Sequence, residues 1–143
     1  PLFEKVAVYK REAQPVIAQY GNQTIQLSHG DIFVPDKSYD VYCSIIRNSI
    51  LLKFLNFIDL GNFISKKIYY ALLKKNICTK IDNFKHIVEN RVKNYNADII
   101  IEGHFHQGDE YIIDNKKYKN IPSLTCSNEY SQLVNGEFIG VKL

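Results

Sequence analysis

The sequence predicts an α/β fold, and three observations predict it. Two β-like runs meet at a tight turn near the start, a block of helical periodicity fills the middle, and short alternating runs return towards the end. At 143 residues with 45% hydrophobic content, the chain suits one domain built on one core.

The first runs are Phe3 to Tyr9, PVIAQY (15–20) and TIQLSHGD (24–31), with YGNQ (20–23) as the turn between the second and third. From Asp36 to Tyr95, apolar residues recur at spacings of three and four with lysines between them, which predicts helices. Asp36 or Ser38 caps the first, which continues to about Ile58 with a break near Asn48. Asn62 or Ser65 begins a second that ends at Lys75, and Thr79 or Asp82 a third that ends at Tyr95. Strand patterns then resume in ADIIIEG, EYIID, KKYKNI, SLTCS, YSQLV and GEFIGVKL. DNKK is a turn, and Asn135-Gly136 between two alternating runs is the strongest hairpin signal in the chain.

The formal charge of +3 fits an anionic ligand or a membrane surface. Without dense Lys/Arg runs, nucleic acid is not an expected partner. Cys43, Cys78 and Cys126 are far apart, odd in number and outside any CxxC spacing, so reduced thiols are expected. SIIRNSILLKFL is interrupted by Arg47, Asn48 and Lys53 and falls short of the roughly 20 apolar residues of a membrane span. No secretory leader is expected either.

Chemistry concentrates in two short stretches, LSHGD (27–31) and EGHFH (102–106), which hold three of the four histidines. Each follows an apolar strand and sets imidazole beside glycine, whose freedom lets the backbone bend at the sheet edge. Imidazole is a common metal ligand, and two histidines flanking one residue in extended backbone point to the same side. His29 alone is more simply a surface or hydrogen-bonded residue, and His86 on the third helix is expected to face solvent. GHFH behind a buried strand favours metal ligation.

HGD followed far downstream by GHxH resembles the second half of the calcineurin-like metallophosphoesterase signature. HGDIFVPDKSYDVYCSIIRN and LLKFLNFIDLGNFISKKI are similar to the UDP-2,3-diacylglucosamine diphosphatases of lipid A synthesis. In those enzymes HGD is followed by D-x-x-Y, a basic residue, F-L and a helical lid. The likeness covers nearly the whole chain.

The resemblance implies a four-layered α/β/β/α sandwich, of which residues 1–143 are the C-terminal portion and 36–96 a helical lid insertion. It implies two divalent ions, commonly manganese, with zinc or iron as alternatives. His29 and His104 would ligate one ion and His106 the other, with His104 the catalytic residue placing the ion nearest the scissile phosphate. Asp31 would orient a ligand histidine by hydrogen bonding. Asp36, Tyr39 and Arg47 match positions near the substrate head group. Leu51, Leu52, Phe54, Leu55, Phe57 and Ile58 would meet acyl chains, although helix packing accounts for most of them individually. A lipid-linked nucleotide substrate and a cytoplasmic location, peripheral on the inner membrane, follow from the same likeness, and the nearby lysines suit an anionic surface.

The chain departs from that signature in having no DxH, no early GD and no GNH/RD; Asn22 lies too close to His29 to stand in. A two-ion hydrolase needs carboxylates to offset roughly four positive charges and to hold the ions about 3.5–4 Å apart. Three imidazoles cannot assemble that pair, so the chain alone is expected to be inactive, the missing N-terminal half belonging to a longer protein of which this is the C-terminal part or coming from a separate chain. The alternatives are a metallophosphoesterase acting on another phosphoester or nucleotide, and a non-catalytic lipid- or partner-binding module.

Overall fold

The computed structural model describes residues 7–33, 37–74 and 78–143. The expected strand at Phe3 to Tyr9 lies partly outside these residues, and 7–10 form no strand. The described chain divides into two units, one of residues 7–33 and 80–143 and the other of residues 37–74, 78 and 79. The chain is α/β, as the pattern of runs predicts.

The larger unit is built on a five-stranded mixed sheet in the order β1-β2-β3-β5-β4, with β1 Val16–Tyr20, β2 Gln23–Ser28, β3 Ile99–Glu102, β4 Glu110–Ile113 and β5 Lys116–Asn120. β1 and β2 form the expected antiparallel hairpin, turning at Gly21 with φ +59°. β2 and β3 are parallel neighbours despite the seventy residues between them, with Ser28 opposite Glu102. β3 is also parallel to β5, which sets Asn120 beside Glu102 on the other side. Three strands thus end together at one sheet edge. β4 returns antiparallel to β5 through Asp114 and Asn115, both at positive φ.

Helix α4, Phe84–Val92, covers one face of this sheet. Phe84, Val88, Val92 and Tyr95 recur at helical spacing, and with Ile100 and Tyr118 they form the core cluster. Val88, Val92, Ile100 and Tyr118 are fully buried, and each aliphatic side chain so buried contributes about 1.5–3 kcal/mol relative to exposure. Against the opposite face lies the hairpin of β6 Glu129–Val134 and β7 Glu137–Lys142. Lys117 reaches Gly136 O (2.8 Å) and Glu137 (2.9 Å), and Lys119 lies over the Phe138 ring. Asn135 and Gly136 take the positive φ values, 52° and 80°, that the hairpin signal requires. SLTCS, expected as a strand, instead forms the short helix α5, Leu124–Ser127.

The smaller unit holds three helices, α1 Lys37–Ile46, α2 Ser49–Ile58 and α3 Phe63–Leu73. The break predicted near Asn48 is present, because its side chain accepts hydrogen bonds from Ile50 N and Leu51 N and so starts a new helix. Asp59 does the same for α3, accepting from Ile64 N (2.6 Å) and Ser65 N (3.1 Å) across a turn with left-handed Gly61 and Asn62. These bonds, that from the Ser65 hydroxyl first, hold the Asp59 carboxyl below its ordinary range. Helix α4, inside the span 36–96 expected as insertion, belongs instead to the sheet unit.

Among the described residues no single helix is long and apolar enough to cross a membrane. α1 and α2 together pass by length and composition, but are bent by 55°. Cys43 is free and buried. The expectation of three reduced thiols is corrected at Cys78 and Cys126, which are disulfide-bonded.

Candidate metal-binding site

The pairing of Ser28 with Glu102 carries the next residues of both strands out side by side. Hydrogen bonding continues past the strand ends: Gly103 N donates to His29 O (3.2 Å) and His104 N donates to His29 O (2.7 Å). The two turns are joined backbone to backbone, and the side chains follow. The imidazole rings of His29 and His104 lie edge to face, with centroids 5.3 Å apart and planes at 77°. Strand ends of neighbouring parallel strands are where α/β folds build sites.

Gly30 makes the first turn possible. Its φ of +100° disfavours a side chain, and a Cβ there would meet His104 Cβ at 3.2 Å and Arg91 Nη2 at 3.4 Å. Gln14 fixes the same turn from upstream, accepting from His29 N at 2.7 Å.

His104 is half-buried, and its proton affinity is lowered, first by burial and next by the neighbouring charge of His29. Arg91 and His106 act in the same direction, while Asp31 opposes them. The ring is therefore mainly neutral near pH 7, the form in which imidazole ligates cations.

His106 does not extend from His104 along a strand, which corrects the extended backbone assumed for GHFH. Residues 103–106 form a turn in which His106 N donates to Gly103 O (3.0 Å) and His106 takes φ +53° with an exposed side chain. Asp31 is buried and paired with Arg11, its Oδ2 lying 3.2 Å from Arg11 Nε. Tyr39 is half-buried on α1 and Arg47 is exposed just after it, both in the smaller unit; Asp36 lies outside the described residues. His86 is exposed, as expected, and faces Glu89 at 3.5 Å.

The donor set fits part of a metal centre. His29 and His104 supply two imidazole nitrogens, half of what a four-coordinate ion takes. Among the described residues no three His, Cys, Asp or Glu side chains are grouped as a cation site. These residues do not by themselves make a two-ion centre.

Sequence reasoning missed the polar groups behind the turns. Glu102, fully buried at the end of β3, accepts from Arg91 Nε and Nη2, each at 2.8 Å, and from the hydroxyls of Tyr95 and Tyr118. Burial and the Glu102 charge push both tyrosines above their ordinary range. Burial alone would lower Arg91, but its bonds to Glu102 outweigh that and raise it.

Asn120 donates to Glu102 O (3.2 Å) and Gly103 O (3.1 Å) and accepts from Gln107 N (2.6 Å). Gln107 is bonded in turn to Phe105 O and Ile81 N. The available signal was a charged residue ending an apolar strand, since a buried carboxylate requires a partner.

Beside His29 opens a cavity of about 340 Å³ whose walls include Val16, Leu27, Ile101, Ile121 and Gln14. Neither a family model nor a curated protein matches the chain.

Proposed function

We propose that residues 1–143 carry the histidine-bearing edge of a calcineurin-like metallophosphoesterase domain, part of a four-layered α/β/β/α sandwich. The reaction is hydrolysis of a phosphoester or diphosphate, with UDP-2,3-diacylglucosamine of lipid A synthesis as the first candidate substrate. The observation that carries this reading is the meeting of His29 and His104 at the ends of two adjacent parallel strands, their rings 5.3 Å apart. Each belongs to a glycine-containing turn that its motif, HGD or GHFH, supplies.

In this reading His29 and His104 hold one divalent ion, manganese or else zinc or iron, and His106 contributes to a second. Bound ions would activate water and neutralise phosphoryl charge. The carboxylate and asparagine donors that complete the centre come from outside these residues, from an N-terminal half of the same protein or from a separate chain. The chain alone is therefore inactive. Asp31 supports the pair by its charge, and Tyr39 and Arg47, with Asp36, serve the substrate head group. The apolar helices α1 to α3 with Lys53, Lys66, Lys67 and Lys74 suit a peripheral position on the cytoplasmic face of an anionic membrane.

The decisive experiment assays the protein that contains these residues together with the missing motifs. With manganese it should cleave UDP-2,3-diacylglucosamine in preference to bis(p-nitrophenyl) phosphate, and His104→Ala should lower kcat by about a hundredfold or more. Preference for the simple diester would move the substrate elsewhere in the superfamily. The exposed apolar side chains of α2 and α3 favour one rival, a lipid- or partner-binding module without ions. Calorimetry showing no His104-dependent manganese uptake in that longer protein would select it.

A further inference from the structure

We infer that Arg91 is a positioning residue that locks the His29 turn to the His104 turn. Its functional meaning rests on the reading of these imidazoles as a ligand pair; its geometry does not. Arg91 bonds to both turns. Nε and Nη2 clasp the Glu102 carboxylate, at the residue where β3 enters GHFH, while Nη2 also donates to Gly30 O in HGD. The guanidinium carbon lies 5.0 Å from the centroid of the Phe105 ring, between the two histidines of the second motif.

The group is almost wholly buried, so its five donors cannot turn to water, and their fixed planar fork sets the distance between the carbonyl of one loop and the carboxylate of the other. Tyr95 and Tyr118 fix the carboxylate from behind, which leaves the guanidinium little room to shift. Helix α4 thus carries into the sheet edge a single cation that measures the gap between two loops sixty or more residues apart in sequence. Lysine could keep the charge and one contact with Glu102, but a single ammonium cannot reproduce the fork.

Arg91→Lys and Arg91→Met in the chain of residues 1–143 test this, with amide hydrogen exchange and the His29-to-His104 ring nuclear Overhauser effect as readouts. His104 N reports the junction directly through its bond to His29 O, whereas Ile100 and Tyr118 amides report the sheet. In Arg91→Lys, exchange at Gly103 and His104 should rise about tenfold or more and the ring-to-ring effect should weaken, while Ile100 and Tyr118 stay unchanged.

A uniform rise at all four amides would make Arg91 an ordinary core group and overturn the inference. No change at Gly103 and His104 would overturn it as well. If Arg91→Met fails to fold, Arg91→Lys alone decides. Because neither readout involves a metal or a substrate, failure here is separate from failure of the phosphoesterase reading.

Discussion

His104 joins fold and chemistry in one side chain. Its proton affinity is depressed in the folded chain first by burial and then by electrostatic interaction with His29, Arg91 and His106, which outweigh Asp31, whereas an unfolded histidine titrates at about 6.5. Between the folded value and about 6.5 the unfolded chain binds more protons, so stability rises with pH in that window. The contribution is complete above about pH 6.5 and is lost as pH falls through the lower, folded value. Urea unfolding of the metal-free chain should show this loss on acidification, and His104→Gln should flatten it. An unchanged acid limb in the variant would mean that other groups carry the dependence.

Glu102 and Gly30 illustrate how far single residues could be read in advance. Glycine beside imidazole in HGD signalled a bend, and Gly30 does adopt a φ of +100°. Glu102 closes the run of isoleucines and was not singled out, because its partner Arg91 sits on a helix, eleven residues earlier, between Lys85 and Lys93. No local pattern marks which of those cations turns inward; packing of α4 on the sheet decides it. His106 went the other way, because a turn closed by its own amide replaced the extended backbone that the alternation of GHFH had implied.

At the scale of elements, what sequence conveyed best was whatever depends on local chemistry. The β1–β2 and β6–β7 hairpins announced themselves through glycine and asparagine at positive φ. The break at Asn48 did so through a side chain able to cap. Asn48→Ala removes two bonds to the first amides of α2 and should cost about 1 kcal/mol of helix stability. Loss of helical ellipticity on urea titration, read against Asn48→Asp as the capping-competent control, measures it; equal curves for the two variants would show that the cap contributes nothing. Long-range pairing was not legible in the same way. That β2 and β3 are parallel neighbours depends on a crossover of some seventy residues, and only the recurrence of histidine and glycine behind both strands pointed to their meeting. SLTCS misled because a strand-like composition of four or five residues is also compatible with one helical turn.

At the scale of the whole molecule, the two units differ in how they use their apolar residues. The sheet unit buries Ile99, Ile100, Val88 and Val92 completely, whereas Phe57 and Leu60 in the helical unit are 80% and 83% exposed. Neither α2 nor α3 contains a buried residue. In the peripheral reading proposed above, this apolar surface set among lysines faces an anionic membrane. Vesicles containing phosphatidylglycerol should therefore retain the chain in flotation assays better than vesicles of phosphatidylcholine alone, and Phe57→Asp should reduce retention. Equal retention by both kinds of vesicle would remove the anionic component from the reading.

The central claim is that two loops far apart in sequence present their imidazoles to one ion. It is tested most directly by titrating zinc into the chain and into His29→Ala, His104→Ala and the double variant. If one ion is shared, either single substitution should weaken uptake by about tenfold or more and the second should add little, since the pair acts as a unit. Losses that simply add, or uptake indifferent to both histidines, would contradict it.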